Sequence, residues 1–258
     1  MVERNLAKVE VAGSSPVSRS IFLVLTFLPP PSFLLLSMKY KAIIFDLDGT
    51  IIDSMGIWRQ VDMDFLGSRN IGVPTDLFDS MPQGNSYNQT AKYFKDRFLL
   101  PESIEEIMDE WTAAVKWHYE HDVLLKDGVR DTIIMLRNLN FPLAIGTSNH
   151  DDLASLALSQ HDLHQYFEII VTGTHDMLGK PFPDIFLKAA RELSVEPETC
   201  IVIEDTLNGI RAARAAGMYA IAIRDEDSAP QWEQMVSEAN FHADDYFTIQ
   251  NHLKELLS

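Results

Sequence analysis

Short apolar runs recur along the chain, and each stops abruptly at small or acidic polar residues. Residues 41–45 (Lys-Ala-Ile-Ile-Phe) lead into Asp46-Leu47-Asp48-Gly49-Thr50, residues 141–145 into Gly146-Thr147-Ser148-Asn149, and residues 200–203 (Cys-Ile-Val-Ile) into Glu204-Asp205. Runs this short, rich in β-branched and aromatic side chains and bounded by Asp and Gly, read as strands buried on both faces. Further strands are predicted at residues 168–172 and 219–223. Between them the period changes to helical. One helix is expected over residues 185–193, behind Pro181 and Pro183, and another from Thr206 to Ala216, closed by Gly217. Strands alternating with helices predict an α/β fold, a Rossmann-like parallel sheet with helices on both faces. Residues 54–124 break the alternation. Phe94, Phe98, Ile104, Ile107, Met108 and Trp111 fall there at helical spacings, so this stretch is expected to be an all-helical insertion.

With 258 residues and 46% hydrophobic content, one core domain (residues 38–53 and 125–258) plus one insert (54–124) is the expected size. Against 38 acidic residues stand 21 basic ones, a net charge of −17, which makes nucleic acid and anionic membranes poor partners. The single cysteine, Cys200, sits inside a predicted strand. No intrachain disulfide can form, which suits a reducing, cytoplasmic setting. Residues 1–37 are unlike the rest: an apolar run at 21–28 is cut by Pro29, Pro30 and Pro31 and resumes at 33–36. With Arg19 upstream this has the outline of a signal peptide or anchor. The run is too short to span a bilayer, however, and no small-x-small cleavage site precedes Met38. The segment reads better as a spurious upstream start, with the working chain beginning at Met38.

The ends of the predicted strands carry the candidate chemistry. Open α/β sheets bind ligands at the carboxyl ends of their strands, which is where Asp46 and Asp48 fall. Two acids one residue apart repel unless a cation or a shared proton holds them, and Mg2+ suits hard oxygen ligands. Taken alone, the pentapeptide serves equally as a polar turn. A calcium loop fails, because Ile51 and Ile57 occupy the positions that need Gly and Glu. Thr147 and its neighbours can donate hydrogen bonds to phosphate oxygens, although Ser148 or Asn149 is equally placed to cap a helix. Lys180 lies in a proline-stiffened loop, where a solvated lysine is the ordinary reading. His118 with His121, and His161 with His164, have i,i+3 spacing but lack the acidic partners that would complete a metal site.

In this order the motifs resemble the four motifs of the haloacid dehalogenase superfamily, and more narrowly its subfamily I phosphatases, which are similar to β-phosphoglucomutase and small sugar-phosphate phosphatases. The match runs from Met38 to the C-terminus and includes residues 46–54 (Asp-Leu-Asp-Gly-Thr-Ile-Ile-Asp-Ser), Gly179-Lys180-Pro181, Glu204-Asp205, Asn208-Gly209 and Ala215-Ala216-Gly217-Met218. The resemblance implies a helical cap at residues 54–124. It also implies that Asp46 is the nucleophile and Asp48 the general acid and base. Thr147 and Lys180 would then bind phosphate, and Mg2+ would be held by Asp46, the backbone carbonyl of Asp48 and Asp205, with Glu204 in support. Trp58, Gly84, Ser86 and Tyr87 become the substrate-selecting candidates of the cap, with Trp111, Trp117 and Tyr119 as its packing. The implied activity is hydrolysis of a small phosphorylated metabolite, a sugar or nucleoside-type phosphate, by a monomer or weak dimer. A mutase of the β-phosphoglucomutase type is the near alternative, and a non-catalytic binding module the distant one. Against the mutase, Tyr87 stands where the mutase loop has Arg and Trp58 where it has His, so neither offers charge to a second phosphate. Lys92 or Arg97 would have to replace them.

Overall fold

The computed structural model describes residues 38–80, 86–173 and 177–258. The reading of residues 1–37 and the candidate Gly84 lie outside these. Among the described residues eight strands form two sheets. The main sheet is six-stranded and wholly parallel, in the order β5-β4-β1-β6-β7-β8. Its strands are β1 (Ala42–Phe45), β4 (Leu143–Thr147), β5 (Ile169–Thr172), β6 (Cys200–Glu204), β7 (Tyr219–Ile223) and β8 (Phe241–Ala243). A small antiparallel pair, β2 (Ile52–Asp53) and β3 (Leu124–Leu125), brackets the inserted segment. β1, β4 and β6 are fully buried along their length, because helices cover both faces of the sheet. Alternation then divides the core in two: Ile43 and Phe45 of β1 pack on one side, Ala42 and Ile44 on the other.

The insertion holds three long helices, α1 (Met55–Ser68), α2 (Tyr87–Phe98) and α3 (Ile104–His121). α2 and α3 each open on a reciprocal capping box, Ser86 with Gln89 and Ser103 with Glu106. Phe65, Phe94 and Trp111 pack edge to face at their centre, with ring centroids 4.9 to 6.1 Å apart. The core helices are α4 (Val129–Asn138), α5 (Asp151–Gln160), α6 (Asp184–Glu192), α7 (Leu207–Ala215), α8 (Trp232–Glu238) and α9 (Tyr246–Leu256). Among the described residues no helix is long and apolar enough to cross a membrane.

Two local expectations shift. The run at residues 141–145 becomes a strand only from Leu143, since Pro142 has no N–H for the ladder and only its carbonyl serves, accepting from Ile43 N at 3.1 Å. That strand continues through Gly146, whose Cα lies against the Phe186 ring, to Thr147. The helix that follows is capped by His150, not by Ser148 or Asn149: the His150 side chain accepts from Asp152 N. Asn149 is diverted to the site described next.

Candidate active site

Three neighbouring strand ends assemble the site. β1 pairs with β4 through Phe45 and Ile145, and with β6 through Phe45 and Ile203, so Asp46 emerges level with Glu204. Its N–H donates to Ile203 O at 3.0 Å, which fixes the backbone as it leaves the sheet. The turn beyond depends on Gly49 at φ +75°, in the left-handed region that favours glycine. Any Cβ there would lie 2.1 Å from Asp205 Oδ2, so the turn is pressed against the second acidic strand end. The Gly49 N–H is committed to Ile52 O, and Thr50 Oγ1 donates to Asp205 Oδ1 at 2.8 Å. Thr147, 1% exposed, closes β4 two residues past the Phe45–Ile145 pair, and its Oγ1 accepts from Asn149 N.

Lys180 is no solvated loop lysine. It is 2% exposed, and its Nζ stands 2.5 Å from both Asp46 Oδ1 and Glu204 Oε1. The other oxygen of Glu204 is taken by the N–H and hydroxyl of Thr206, and the close approach of Gly209 makes room for that carboxylate. Burial pulls the Lys180 ammonium toward neutrality, but the charges of Asp46 and Glu204 outweigh it and keep it firmly protonated. Gly179 packs this loop against the start of α2, where a Cβ would meet Gln89 Oε1 at 2.2 Å.

Asp46, Glu204 and Asp205 present carboxylate oxygens within 4.8 Å of one another. Three buried acids against one ammonium leave uncompensated negative charge. Burial raises Asp46 to about 8, with the charge of Glu204 adding and Lys180 opposing, and burial with Glu204 and Asp46 pushes Asp205 well up. An all-oxygen, electron-rich donor set of this kind fits a hard divalent cation. Linkage supplies a test. Both carboxyls hold protons more tightly folded than unfolded, so in chelator the folded protein loses stability as pH rises from about 4 through about 8. Thermal melts in EDTA should therefore fall between pH 5 and 8, and magnesium should restore most of the loss at pH 8; a flat profile with no response to magnesium would show that the cluster is not a cation site.

Asp48 points the other way, toward the insertion. Its Oδ1 accepts from Ser54 Oγ at 2.6 Å, Trp58 Nε1 at 3.2 Å and the Tyr119 hydroxyl, while Oδ2 accepts from Asn149 Nδ2 at 2.8 Å. Burial and the Asp48 charge push the Tyr119 phenol well above its ordinary range, so it remains a donor. Tyr119 thus does more than the packing expected of it. Of the cap candidates, Trp58 reaches Asp48. Ser86 caps α2, and Tyr87 spends its hydroxyl on Met108 O and Thr112 Oγ1 inside the insertion while its N–H donates to Ser148 O at 3.2 Å. Lys92 pairs with Asp96 one turn along α2, and Arg97 with Asp76. His118 pairs with Asp122 and His121 with the Trp117 carbonyl.

Known proteins resemble this chain in sequence and in fold. The family described as haloacid dehalogenase-like hydrolase matches residues 43–223. Fructose-1-phosphate phosphatase YqaB of Escherichia coli K12 is 30% identical over 192 residues, 72% of this chain and 97% of its own. Hexitol phosphatase B of the same organism is 26% identical over 184 residues, 70% and 82% of the two chains. In fold, β-phosphoglucomutase from Clostridium difficile superposes with a TM-score of 0.72 at 21% identity, over 84% of this chain and 97% of that one.

Proposed function

The chain belongs to the haloacid dehalogenase-like hydrolase family and is a phosphatase of that family, and from that premise we propose that it hydrolyses a small phosphorylated metabolite, a sugar or nucleoside-type phosphate, through an aspartyl-phosphate on Asp46 with magnesium as its cation. The cytoplasm is the compartment proposed for it, and residues 54–124 are proposed to act as a cap over the site. The observation that carries the reading is the contrast between two aspartates at one strand end. Asp46 sits in a charged cluster with Lys180, Glu204 and Asp205, whereas Asp48 is ringed by the neutral donors Ser54, Trp58, Tyr119 and Asn149. Different environments give two carboxylates different tasks.

Asp46 attacks phosphorus and forms an acyl phosphate as the ester oxygen departs. Asp48 gives that oxygen its proton, then takes one from the water that cleaves the intermediate. Lys180 Nζ and Thr147 Oγ1 hold phosphoryl oxygens as charge shifts in the transition state. Asp46, Asp205 and the Asp48 carbonyl, backed by Glu204, would hold the magnesium ion, which when bound neutralises phosphoryl charge. Ser54, Trp58, Tyr119 and Asn149 aim Asp48.

The hydrolase reading is favoured over the mutase by the charge of the neighbouring cleft. Among the described residues lining it Arg59 is the one cation, and Asp227 already pairs with it. A second phosphate has no free partner there. Assay of a panel of sugar, polyol and nucleoside monophosphates with magnesium should release inorganic phosphate from at least one class. Isomerised sugar phosphate as the main product, stimulated by a bisphosphate, would replace the hydrolase with the mutase.

A further inference from the structure

A cleft of about 720 Å3 opens between α1 of the insertion and the loop after β7, and one of its lining residues, Met55, packs beside Gly49 of the Asp46–Thr50 turn. Met55, Trp58, Arg59 and Asp62 line one wall, with Glu226 and Asp227 opposite. Trp58 ties the cleft to the chemistry, since its indole donates to Asp48. Asp62 lies one helical turn further along the same wall. It is 5% exposed, and among the described residues its carboxylate makes no hydrogen bond or ion pair. Burial alone raises it to about 7. The catalytic neighbours and Asp227 have donors of their own: Asp48 has four, Asp227 has Arg59, and Asp205 has Thr50; Glu226, the remaining acid of the cleft, is exposed to solvent. An acceptor that lines a cleft and has no protein donor is open to O–H or N–H groups of whatever fills the cleft.

We propose that Asp62 reads the alcohol part of the substrate by accepting hydrogen bonds from its hydroxyl groups, so that the enzyme selects phosphate esters of neutral polyhydroxylated alcohols and rejects esters with a second anionic group. The inference rests on the phosphatase reading and deepens it. The reacting phosphate lies at Asp46, the ester oxygen at Asp48, and the alcohol extends past Trp58 toward Asp62. Hydroxyls are neutral donors that satisfy a buried carboxylate without bringing further charge. A carboxylate or second phosphate at that end would face Asp62 and Glu226, while Arg59 is held by Asp227. Lys92 pairs with Asp96 and Arg97 with Asp76, and neither lines the cleft.

The test compares wild type, Asp62→Asn and Asp62→Ala on three substrates: a hexitol 6-phosphate, p-nitrophenyl phosphate, whose leaving group has no hydroxyl to offer, and fructose 1,6-bisphosphate. Loss of hydrogen bonds to a charged acceptor predicts that Asp62→Ala raises KM for the hexitol phosphate by about ten- to a hundredfold with kcat little changed. p-Nitrophenyl phosphate should be hydrolysed within about twofold of wild type, which sets Asp62 apart from residues that do the chemistry. Asp62→Asn keeps the shape and loses the charge. It should melt no lower than wild type at neutral pH, and it should turn over the bisphosphate better relative to the hexitol phosphate. Equal losses on both monophosphates, or none on the hexitol phosphate, would overturn the role of Asp62 while leaving the phosphatase intact. No hydrolysis of p-nitrophenyl phosphate by wild type would overturn the phosphatase reading, and this inference with it.

Discussion

Asp46→Asn is expected to lower kcat by on the order of a thousandfold or more while leaving the fold intact. The amide matches the carboxylate in shape but cannot form the acyl phosphate, so no alternative route through the same strand end is available to it. Its effect on stability should run opposite to its effect on rate. The cluster holds three carboxylates, Asp46, Glu204 and Asp205, against the single ammonium of Lys180, and burial already drives Asp46 up to about 8. Removing one charge from that excess relieves it, so in chelator at pH 8 the variant should melt at or above the wild-type temperature. The informative measurement is the pair: phosphate release in the presence of magnesium, and thermal melting in its absence. Turnover within tenfold of wild type would remove Asp46 from the nucleophile's role, whatever the melting curve.

Loss of rate with gain of stability is the signature of a residue strained for function. The same logic explains which parts of the site could be found in the sequence. Asp46, Thr147, Lys180 and Glu204 with Asp205 were visible because each adjoins an apolar run or a Gly-Pro punctuated loop, and in a parallel sheet the strand ends converge. Glu204 and Asp46, 158 positions apart in the chain, become neighbours merely because β6 pairs with β1. Asn149 and Tyr119 were not visible as partners of Asp48. Tyr119 lies 71 residues away on α3 among aromatics that really are packing, such as the fully buried Trp111. Nothing in a helical period says which aromatic has a hydroxyl that reaches beyond its helix. Asn149 shared the features of an N-cap, and only tertiary contact decided that His150 caps α5 while Asn149 turns to Asp48. Asp62 was hidden for a different reason: an acid on an amphipathic helix is ordinarily solvated, and its burial comes from tertiary packing that a helical period does not show. The short strands β2, β3 and β8 span two or three residues, too few to show a period.

Lys180→Met should be the other severe change, and it should fail in two separable ways. The thioether retains volume and apolar stem but leaves Asp46 Oδ1 and Glu204 Oε1, each 2.5 Å from Nζ in the native protein, without their shared cation. Breaking a buried ion pair by removing one partner costs about 3 kcal/mol or more, and for a protein of this size about 2–4 °C of melting temperature is lost per kcal/mol. A drop of roughly ten degrees in chelator is therefore expected. The loss should shrink toward pH 5, where Asp46 protonates, because burial makes its carboxyl hold a proton more tightly in the folded state than in the unfolded one. Magnesium should rescue stability at pH 8 more in the variant than in wild type, since the ion then becomes the cluster's only positive charge. It should not rescue rate. With no ammonium to meet the charge spreading over the phosphoryl oxygens, turnover should stay about a hundred- to a thousandfold down at saturating magnesium. Melting and rate recovering together would assign Lys180 a structural role alone and leave Thr147 and the cation to bind the phosphoryl group; melting recovering without rate would place the ammonium in the transition state.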